Sequence, residues 1–323
     1  MDEVAARLLH PFAFSILLRM NKNSFKLPAF AKINWFLNVL GKREDGFHEI
    51  STAFQTVSLC DYLSFEEKDE ILLTCDKPDI PTDASNLIVK AAIALQARFN
   101  LKKGAKIHLE KNIPSPGGLG GGSSDAAIAL MGLAKLWKIE NSIDVIIEIA
   151  EKLGSDVPFF LYGGTAIGTG RGTKLKQIDD VEEKYLLIVT PNVSVSTSEA
   201  YTKLNAPPLT KESSKSIIIN CFDELDKLNS KQLILKNDFE KVIFGIEPEI
   251  KRVKDALLKN KAQQVLMSGS GASVFAIFEN DETRQATIKA LESEKNWRQF
   301  AVATISRQKY REALGKVLTV VSD

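Results

Sequence analysis

Pro114-Ser-Pro-Gly-Gly-Leu-Gly-Gly-Gly-Ser-Ser-Asp-Ala-Ala127 is the most informative segment of the chain, and it holds five of the 19 glycines. The alternating residues 105–113 before it predict a strand, and the apolar run 126–136 after it predicts a helix. Glycine tolerates positive φ and close approach, so such a loop can surround an anion with backbone N–H groups. The helix that follows adds the positive end of its dipole. A phosphate group is therefore the natural ligand.

Three other interpretations of this loop fit the residues less well. A P-loop continues into Gly-Lys and then Ser or Thr, and no lysine follows these glycines. Gly118-Leu-Gly-Gly-Gly-Ser123 nearly matches the dinucleotide pattern G-x-G-x-x-G. However, the Pro-x-Pro entry does not suit that tight turn, and serines stand where the third glycine belongs. A flexible linker is the structural alternative, but linkers are not usually followed at once by an apolar helical face.

The composition narrows the class of protein. A chain of 323 residues is long enough for two domains, and 44% hydrophobic with 26% charged residues is typical of a soluble globular protein. The net charge of +1 gives no argument for nucleic acid or membrane binding. Cys60, Cys75 and Cys221 lack metal-ligand spacing, which favours reduced thiols and a cytoplasmic location. No run of 18 apolar residues predicts a membrane span.

Both ends of the chain are expected to lie outside the fold. Residues 1–24 are interpreted as an extension, because Asp2 and Glu3 oppose the basic start that a secretory signal needs. Met20 is a plausible alternative start, and a chain beginning there is expected to fold and remain active. Residues 311–323 are interpreted as a tail.

Two polar residues stand out in the first strand. Residues 25–41 alternate and predict a long strand with a bend. Lys32 and Asn34 lie two residues apart and so share a face of it. Alternation alone favours a solvated face for them over a site. The polar stretch 42–49 predicts a turn at Asp45-Gly46, and His48 alone is an ordinary loop histidine.

The remaining elements are predicted from periodicity and from helix and strand boundaries. Strands are expected at 51–58, 62–66, 71–75, 184–190 and 301–305, and helices at 86–99, 143–153, 196–201 and 284–292. Asp83 or Ser85 is expected to cap the helix 86–99. Pro248 is expected to kink or break the helical stretch 237–260.

Motifs at four separated places resemble the GHMP kinases, the family of galactokinase, homoserine kinase, mevalonate kinase and phosphomevalonate kinase. The glycine loop is similar to the family's P-x-x-x-G-L-G-S-S-A-A loop. Ala31-Lys-Ile-Asn34 followed by residues 41–49 resembles the opening of the GHMP kinases that act on a diphosphocytidyl polyol, where Tyr is commoner than Phe47. Gly154-Ser-Asp-Val-Pro158 matches the family's G-[AS]-D-[VI]-P stretch. Residues 266–278 match the third motif, which packs against the phosphate loop.

The resemblance implies an α+β fold of two domains. Residues 25–182 would form an ATP-binding domain like ribosomal protein S5, and residues 183–310 a ferredoxin-like domain with the substrate in the cleft between them. It implies ATP-dependent phosphorylation of a hydroxyl of a diphosphocytidyl methylerythritol, giving the 2-phosphate, in the non-mevalonate route to isoprenoids. Mg²⁺ would arrive with the ATP phosphates rather than in a separate protein site. The expected partner is this small molecule, with neither nucleic acid nor membrane, and the protein would be a monomer or weak homodimer.

The resemblance also assigns site residues. Asp156 would orient or deprotonate the acceptor hydroxyl, and Lys32 would keep that carboxylate ionised and meet the phosphoryl group. From its position alone, Asp156 is more often a helix cap. The residues expected to bind nucleotide are Asn86, Lys111, Pro114, Gly117, Gly118, Leu119, Gly120, Gly121, Gly122, Ser123 and Ser124. The residues expected to bind substrate are Asn34, Phe47, His48, Thr197 and Tyr201, with Phe47 and Tyr201 on either side of cytosine and His48 at its edge.

Two alternative functions remain open from the sequence. One is another GHMP kinase, acting on homoserine or mevalonate, and the stretch Asp45-Gly-Phe-His48 argues against it. The other is a non-catalytic nucleotide-binding protein on the same fold. Loss of Lys32 or Asp156 would favour that reading, and both residues are present.

Overall fold

The computed structural model describes residues 24–140, 143–209 and 235–315. In chain order its strands are β1 (Ser24–Lys42), β2 (His48–Lys68), β3 (Ile71–Cys75), β4 (Gly104–Glu110), β5 (Thr165–Gly170), β6 (Lys174–Gln177), β7 (Leu186–Pro191), β8 (Lys236–Asn237), β9 (Gln264–Met267), β10 (Val274–Ile277) and β11 (Trp297–Val302). Its α-helices are α1 (Leu87–Phe99), α2 (Gly121–Trp137), α3 (Ile143–Leu153), α4 (Thr197–Leu204), α5 (Glu240–Ile246), α6 (Pro248–Lys259), α7 (Asp281–Ala290) and α8 (Arg307–Leu314). None of these helices has the length and apolar character that crossing a bilayer requires.

The long antiparallel pair β1–β2 is the centre of a seven-stranded sheet in the order β3-β4-β2-β1-β8. Strand β5 pairs with the first part of β2, and β6 lies beyond it. The register of β1 shifts at Phe30/Ala31 and again at Asn34/Phe36, on either side of Lys32. The first shift leaves two extra residues on β2 and the second leaves one on β1. Such irregularities bend a strand, which is consistent with the predicted bend.

Strand β2 is continuous, so the prediction of two separate strands over 51–58 and 62–66 was wrong. Leu59, Cys60 and Asp61 lie between those two segments. In the structure Asp61 is buried and its carboxylate accepts backbone N–H groups of Asn112 and Ile113, at 2.6 and 2.7 Å. A polar side chain satisfied in this way does not require the strand to end.

Helix α2 crosses the core behind the sheet with almost every side chain buried. It contacts α1, α3 and the sheet, which explains why residues 126–134 are apolar on all faces. The cap of α1 differs from the prediction. Asn86, not Asp83 or Ser85, accepts the N–H of Ile88 at 2.8 Å, while Asp83 accepts the N–H and hydroxyl of Ser85.

The second half of the chain forms a four-stranded antiparallel sheet in the order β11-β7-β10-β9. The central strand β7 is buried along its whole length, as its apolar run predicted. Helices α5 and α6 are separate, and α6 starts at Pro248, so the predicted break is confirmed. Apolar residues of α5, α6 and α7 pack on one face of this sheet.

The chain then returns to the first sheet. Helix α8 begins before the predicted tail and continues into it. Its Tyr310 and Leu314 are fully buried in the hydrophobic core between the seven-stranded sheet and its helices. The expected tail at 311–323 therefore starts too early, because the polar faces of this short helix hide its two buried anchors. The predicted extension lies outside the described residues except for Ser24, which begins β1.

Candidate active site

A cavity of about 870 Å³ opens between elements of the two sheets. It is lined by β1, β2, the glycine loop, the start of the 3₁₀ helix Val157–Leu161, helix α4 and the loop after β9. It brings together ten of the residues that the sequence nominated: Lys32, Asn34, Phe47, His48, Gly117, Gly118, Gly120, Asp156, Thr197 and Tyr201.

Lys32 and Asp156 form an ion pair in this cavity, with Nζ and Oδ2 3.6 Å apart. Lys32 is only 3% exposed, whereas the Asp156 side chain is 32% exposed. Burial lowers the pKa of Lys32, and the charge of Asp156 opposes that effect. Asp156 occupies the N-cap position of the 3₁₀ helix, yet its side chain makes no capping hydrogen bond. The interpretation as a helix cap is therefore not supported.

Asn34 holds Lys32 in place. Its Oδ1 accepts hydrogen bonds from Lys32 Nζ at 2.7 Å and from the Gly269 N–H at 3.0 Å. Its Nδ2 donates to Thr52 Oγ1 at 2.8 Å. The amide is thus committed to protein partners on three elements, and its predicted contact with substrate stays a prediction.

The glycine loop leads into α2 as predicted. Helix α2 has Gly120 at its N-cap and no side-chain cap, so the N–H groups of its first turn can meet a ligand. Gly118 has φ +70, and a Cβ built on it would lie 2.2 Å from Ser268 O. Only glycine fits this contact, because both the conformation and the space exclude a side chain.

A second glycine loop, residues 268–273, supports the first from behind. The Ser273 N–H donates to Gly117 O at 3.1 Å, and the Ser268 hydroxyl donates to Gly118 O at 2.9 Å. Strand β1 also joins the loop, since the Lys32 N–H donates to Leu119 O at 2.9 Å. The expected packing of the third motif against the phosphate loop is confirmed.

Other nominated loop residues differ in what they offer a ligand. Pro114 and Leu119 are buried. Because the Leu119 side chain is buried, this residue would contact a ligand through its backbone. Gly121, Gly122 and Ser123 form the first turn of α2. Among the described atoms, the Ser124 hydroxyl is buried and has no hydrogen-bond partner. An orphaned hydroxyl at a helix start fits a phosphate oxygen or a phosphate-bound cation.

Lys111 and Asn86 lie away from the cavity lining. Lys111 Nζ contacts Asp61 and, at 3.0 Å, Asp125, so the three side chains form a buried triad. Asn86 caps α1, and its Nδ2 donates to Pro81 O at 2.7 Å. The nucleotide contacts of both residues stay predictions.

Two of the residues expected to bind the base stack on each other, which the sequence did not predict. The ring of His48 stacks on Tyr201, with centroids 4.5 Å apart and planes at 16°. Phe47 is 49% exposed, and the Arg171 guanidinium lies 4.3 Å from its ring centroid. A base held between Phe47 and Tyr201 stays a prediction. The His48 ring covers one face of Tyr201, so a base that stacks on that face has to displace His48.

Electrostatics and hydrogen bonds add detail to this side of the cavity. Burial, followed by the charge of Lys42, lowers the pKa of His48. A neutral imidazole can donate with one nitrogen and accept with the other. The Thr197 hydroxyl lies 2.9 Å from that of Ser270 on the second glycine loop.

Sequence reasoning missed several residues that line the site. Lys42 and Arg171 contribute cations to the cavity, and Thr52 supports Asn34. Arg171 lies between two glycines at the turn of the hairpin β5–β6. An arginine between two glycines is a pattern that could have identified Arg171 from the sequence. Nothing in the local sequence distinguishes Thr52 from other threonines in strands.

Comparisons with known proteins agree with this geometry. Residues 86–164 match the family described as GHMP kinases N terminal domain, and residues 215–296 match GHMP kinases C terminal. A 4-diphosphocytidyl-2-C-methyl-D-erythritol kinase of Caldicellulosiruptor bescii is 42% identical over 259 residues, covering 79% of this chain and 90% of that protein. The chain belongs to the GHMP kinases of this diphosphocytidyl-methylerythritol type.

Further relatives and solved structures support the assignment of this GHMP kinase. A protein of the same description from Listeria welshimeri is 41% identical over 253 residues, covering 76% of this chain and 85% of that one. The crystal structure of a 4-(cytidine 5'-diphospho)-2C-methyl-D-erythritol kinase matches with a TM-score of 0.71 and 32% identity, covering 86% of this chain and 98% of that one. Homoserine kinase from Cytophaga hutchinsonii, at 20% identity and TM-score 0.67, covering 91% and 99%, shows the shared fold alone. The predicted α+β GHMP fold is confirmed.

Proposed function

We propose that this kinase transfers the γ-phosphoryl group of ATP to a hydroxyl of 4-diphosphocytidyl-2-C-methyl-D-erythritol, giving the 2-phosphate, in the non-mevalonate route to isoprenoid precursors. The observation that carries the proposal is the Lys32–Asp156 pair, which faces one cavity together with the glycine loop and the His48–Tyr201 stack. The choice of acceptor rests on the relatives, which are 4-diphosphocytidyl-2-C-methyl-D-erythritol kinases.

ATP would bind with its phosphates at the glycine loop. The uncapped N-terminus of α2 offers N–H groups and a partial positive charge, and Lys32 adds a full charge from the strand beside it. The orphaned Ser124 hydroxyl suits a Mg²⁺ ion carried on the phosphates. When bound, Mg²⁺ neutralises part of the phosphate charge.

Asp156 and Lys32 would have different roles in the transfer, one at the acceptor hydroxyl and the other at the phosphoryl group. Phosphoryl transfer has a loose transition state, so the protein mainly positions groups and balances charge. Asp156 would orient the acceptor oxygen and accept its proton late in the step. Lys32, fixed by Asn34, would face the oxygens of the moving phosphoryl group. The new O–P bond forms as the bond between the β,γ-bridging oxygen and the γ-phosphorus breaks, and ADP leaves.

The opposite side of the cavity suits the cytidine end of the acceptor. Phe47 offers a ring face, and Tyr201 would offer one when His48 moves off it. Neutral His48 can both donate to and accept from a base edge. Homoserine and mevalonate have no ring for this cluster to bind. We therefore propose the diphosphocytidyl acceptor over these two alternatives.

The test measures ADP release with the diphosphocytidyl substrate, homoserine and mevalonate in parallel reactions. The Asp156→Asn protein serves as a background control for ATP hydrolysis. We expect turnover with the first acceptor alone. Turnover with homoserine or mevalonate, or with none of the three, overturns the proposal. We further propose a cytoplasmic protein that is a monomer or weak homodimer, and sedimentation at assay concentration tests the oligomeric state.

A further inference from the structure

Tyr310 of helix α8 touches both elements that carry the Lys32–Asp156 pair. Its hydroxyl donates a hydrogen bond to the carbonyl oxygen of Phe160, in the 3₁₀ helix that Asp156 begins. Its ring packs on Phe30 of β1, two residues before Lys32, with centroids 5.6 Å apart. Tyr310 itself is 0% exposed, so these contacts are dry.

The contact through Phe160 also reaches the phosphate loop, because the Phe160 ring lies against Gly120. The neighbouring Phe159 stacks on Phe54 of β2, with centroids 5.0 Å apart, and Lys32 Nζ lies 5.8 Å from the centroid of that same ring. A shift of the 3₁₀ helix would therefore move the Asp156 carboxylate, the loop and the surroundings of Lys32 together.

The absence of a side chain at Gly163 leaves the space that the Tyr310 ring occupies. Gly163 has φ +65, and a Cβ on it would lie 2.3 Å from the Tyr310 ring. Any other residue there would push the ring out of the core. The start of α8 is fixed as well, because the Arg307 guanidinium donates to Thr165 O at 2.6 Å and the Arg307 N–H to Asp180 at 2.7 Å.

We propose that Tyr310 is a positioning residue for phosphoryl transfer, which sets the separation of Lys32 and Asp156 by joining Phe30 of one element to Phe160 of the other. The inference rests on the proposed function of that pair. Tyr310 is fully buried and does not line the cavity, so substrate and ATP would not contact it. Its loss should therefore alter the chemical step rather than binding.

The Tyr310→Phe variant tests this, because it keeps the ring and removes only the hydroxyl. We expect kcat to fall about tenfold while both KM values stay within about twofold, since a buried carbonyl loses its partner and the 3₁₀ helix relaxes. Lys32 should titrate at lower pH, because a more distant Asp156 supports its ammonium less. NMR of lysine-labelled protein measures that titration without substrate.

Tyr62→Phe is the matched control. It removes a tyrosine hydroxyl of β2 that bonds Cys60. The backbone of Tyr62 pairs with Pro28 of β1, and Lys26 lies over its ring, but the substitution leaves both of these contacts in place. We expect it to leave kcat and the Lys32 titration unchanged. If Tyr310→Phe does not fold, Phe30→Leu breaks the other half of the same connection and is measured identically.

The outcomes separate this inference from the proposed function. A Tyr310→Phe protein with lower thermal stability but unaltered kcat and Lys32 titration overturns the positioning role and leaves Tyr310 a packing residue. Equal effects in Tyr62→Phe overturn it too. A wild type without activity on the diphosphocytidyl substrate refutes the proposed function, while the Lys32 titration still decides whether Tyr310 controls the pair.

Discussion

Asp156 stands where a helix cap belongs, yet its carboxylate faces Lys32. Because Asn can orient a hydroxyl but cannot take its proton, we expect Asp156→Asn to lower kcat about 10²–10⁴-fold with both KM values little changed. Steady-state kinetics with each substrate varied measures this. Lys32→Met should also lower kcat, and the double variant should lose less than the product of the two effects. Near-normal kcat in folded Asp156→Asn would contradict the catalytic role.

Tyr201 should contribute to acceptor binding rather than to chemistry. Loss of one stacking ring costs about 1–3 kcal/mol by analogy with base–aromatic stacking. We expect Tyr201→Ala to raise KM for the cytidine substrate accordingly, with KM for ATP little changed. Phe47→Tyr is the matched control, expected to be nearly neutral because both rings can stack. Equal weakening of both substrates by Tyr201→Ala would place the ring elsewhere in the mechanism.

Asp125 should make the stability of the protein depend on pH. Burial, reinforced by Asp61 and opposed by Lys111, raises its pKa to about 7. The fold thus favours the protonated form, so this stability is complete below about pH 4 and is lost as the pH rises through about 7. Asp125→Asn stays neutral, so urea unfolding should show a smaller decline between about pH 5 and 8 than in the wild type. An unchanged decline would assign the pH dependence to other groups.

At the scale of elements, the two glycine loops act as one unit. Gly118→Ala would force a side chain into a left-handed conformation costing about 1–2 kcal/mol, and against Ser268 O as well. We expect KM for ATP to rise at least about tenfold, measured beside KM for the acceptor, which should change less. Gly245→Ala is the control, because a Cβ there has nothing within 4 Å. A Gly118→Ala protein with normal ATP binding would separate the loop contact from nucleotide binding.

Elements with strong local signals were predictable, and those that depend on distant partners were not. The glycine loop, α2 and β1 carry their information in periodicity and glycine spacing. The continuity of β2 depends on Asp61 finding the N–H groups of residues 112 and 113, far along the chain. Helix α8 depends on a socket at Gly163 that no local pattern reveals. In the site, ten of the nominated residues line one cavity, whereas Asn86 and Lys111 do not. The His48–Tyr201 stack arises from two elements that meet only after folding.

For the whole molecule, a chain that begins at Met20 should fold and keep its activity. Strand β1 starts at Ser24, so this truncation leaves every described element intact. Thermal unfolding and kcat of the shortened protein, compared with the full chain, measure the effect. Precipitation or loss of most activity would show that the first 19 residues belong to the fold.

Helix α8 also bears on how the protein is made. It lies late in the chain but fills part of the core formed by the first half, beside the elements that carry Lys32 and Asp156. Nearly all of the described chain must therefore be synthesised before Tyr310 can pack against the elements that carry Lys32 and Asp156. We expect prematurely terminated products to expose an apolar groove and to be poor kinases, so that incomplete synthesis yields substrates for chaperones and proteases rather than uncontrolled consumers of ATP.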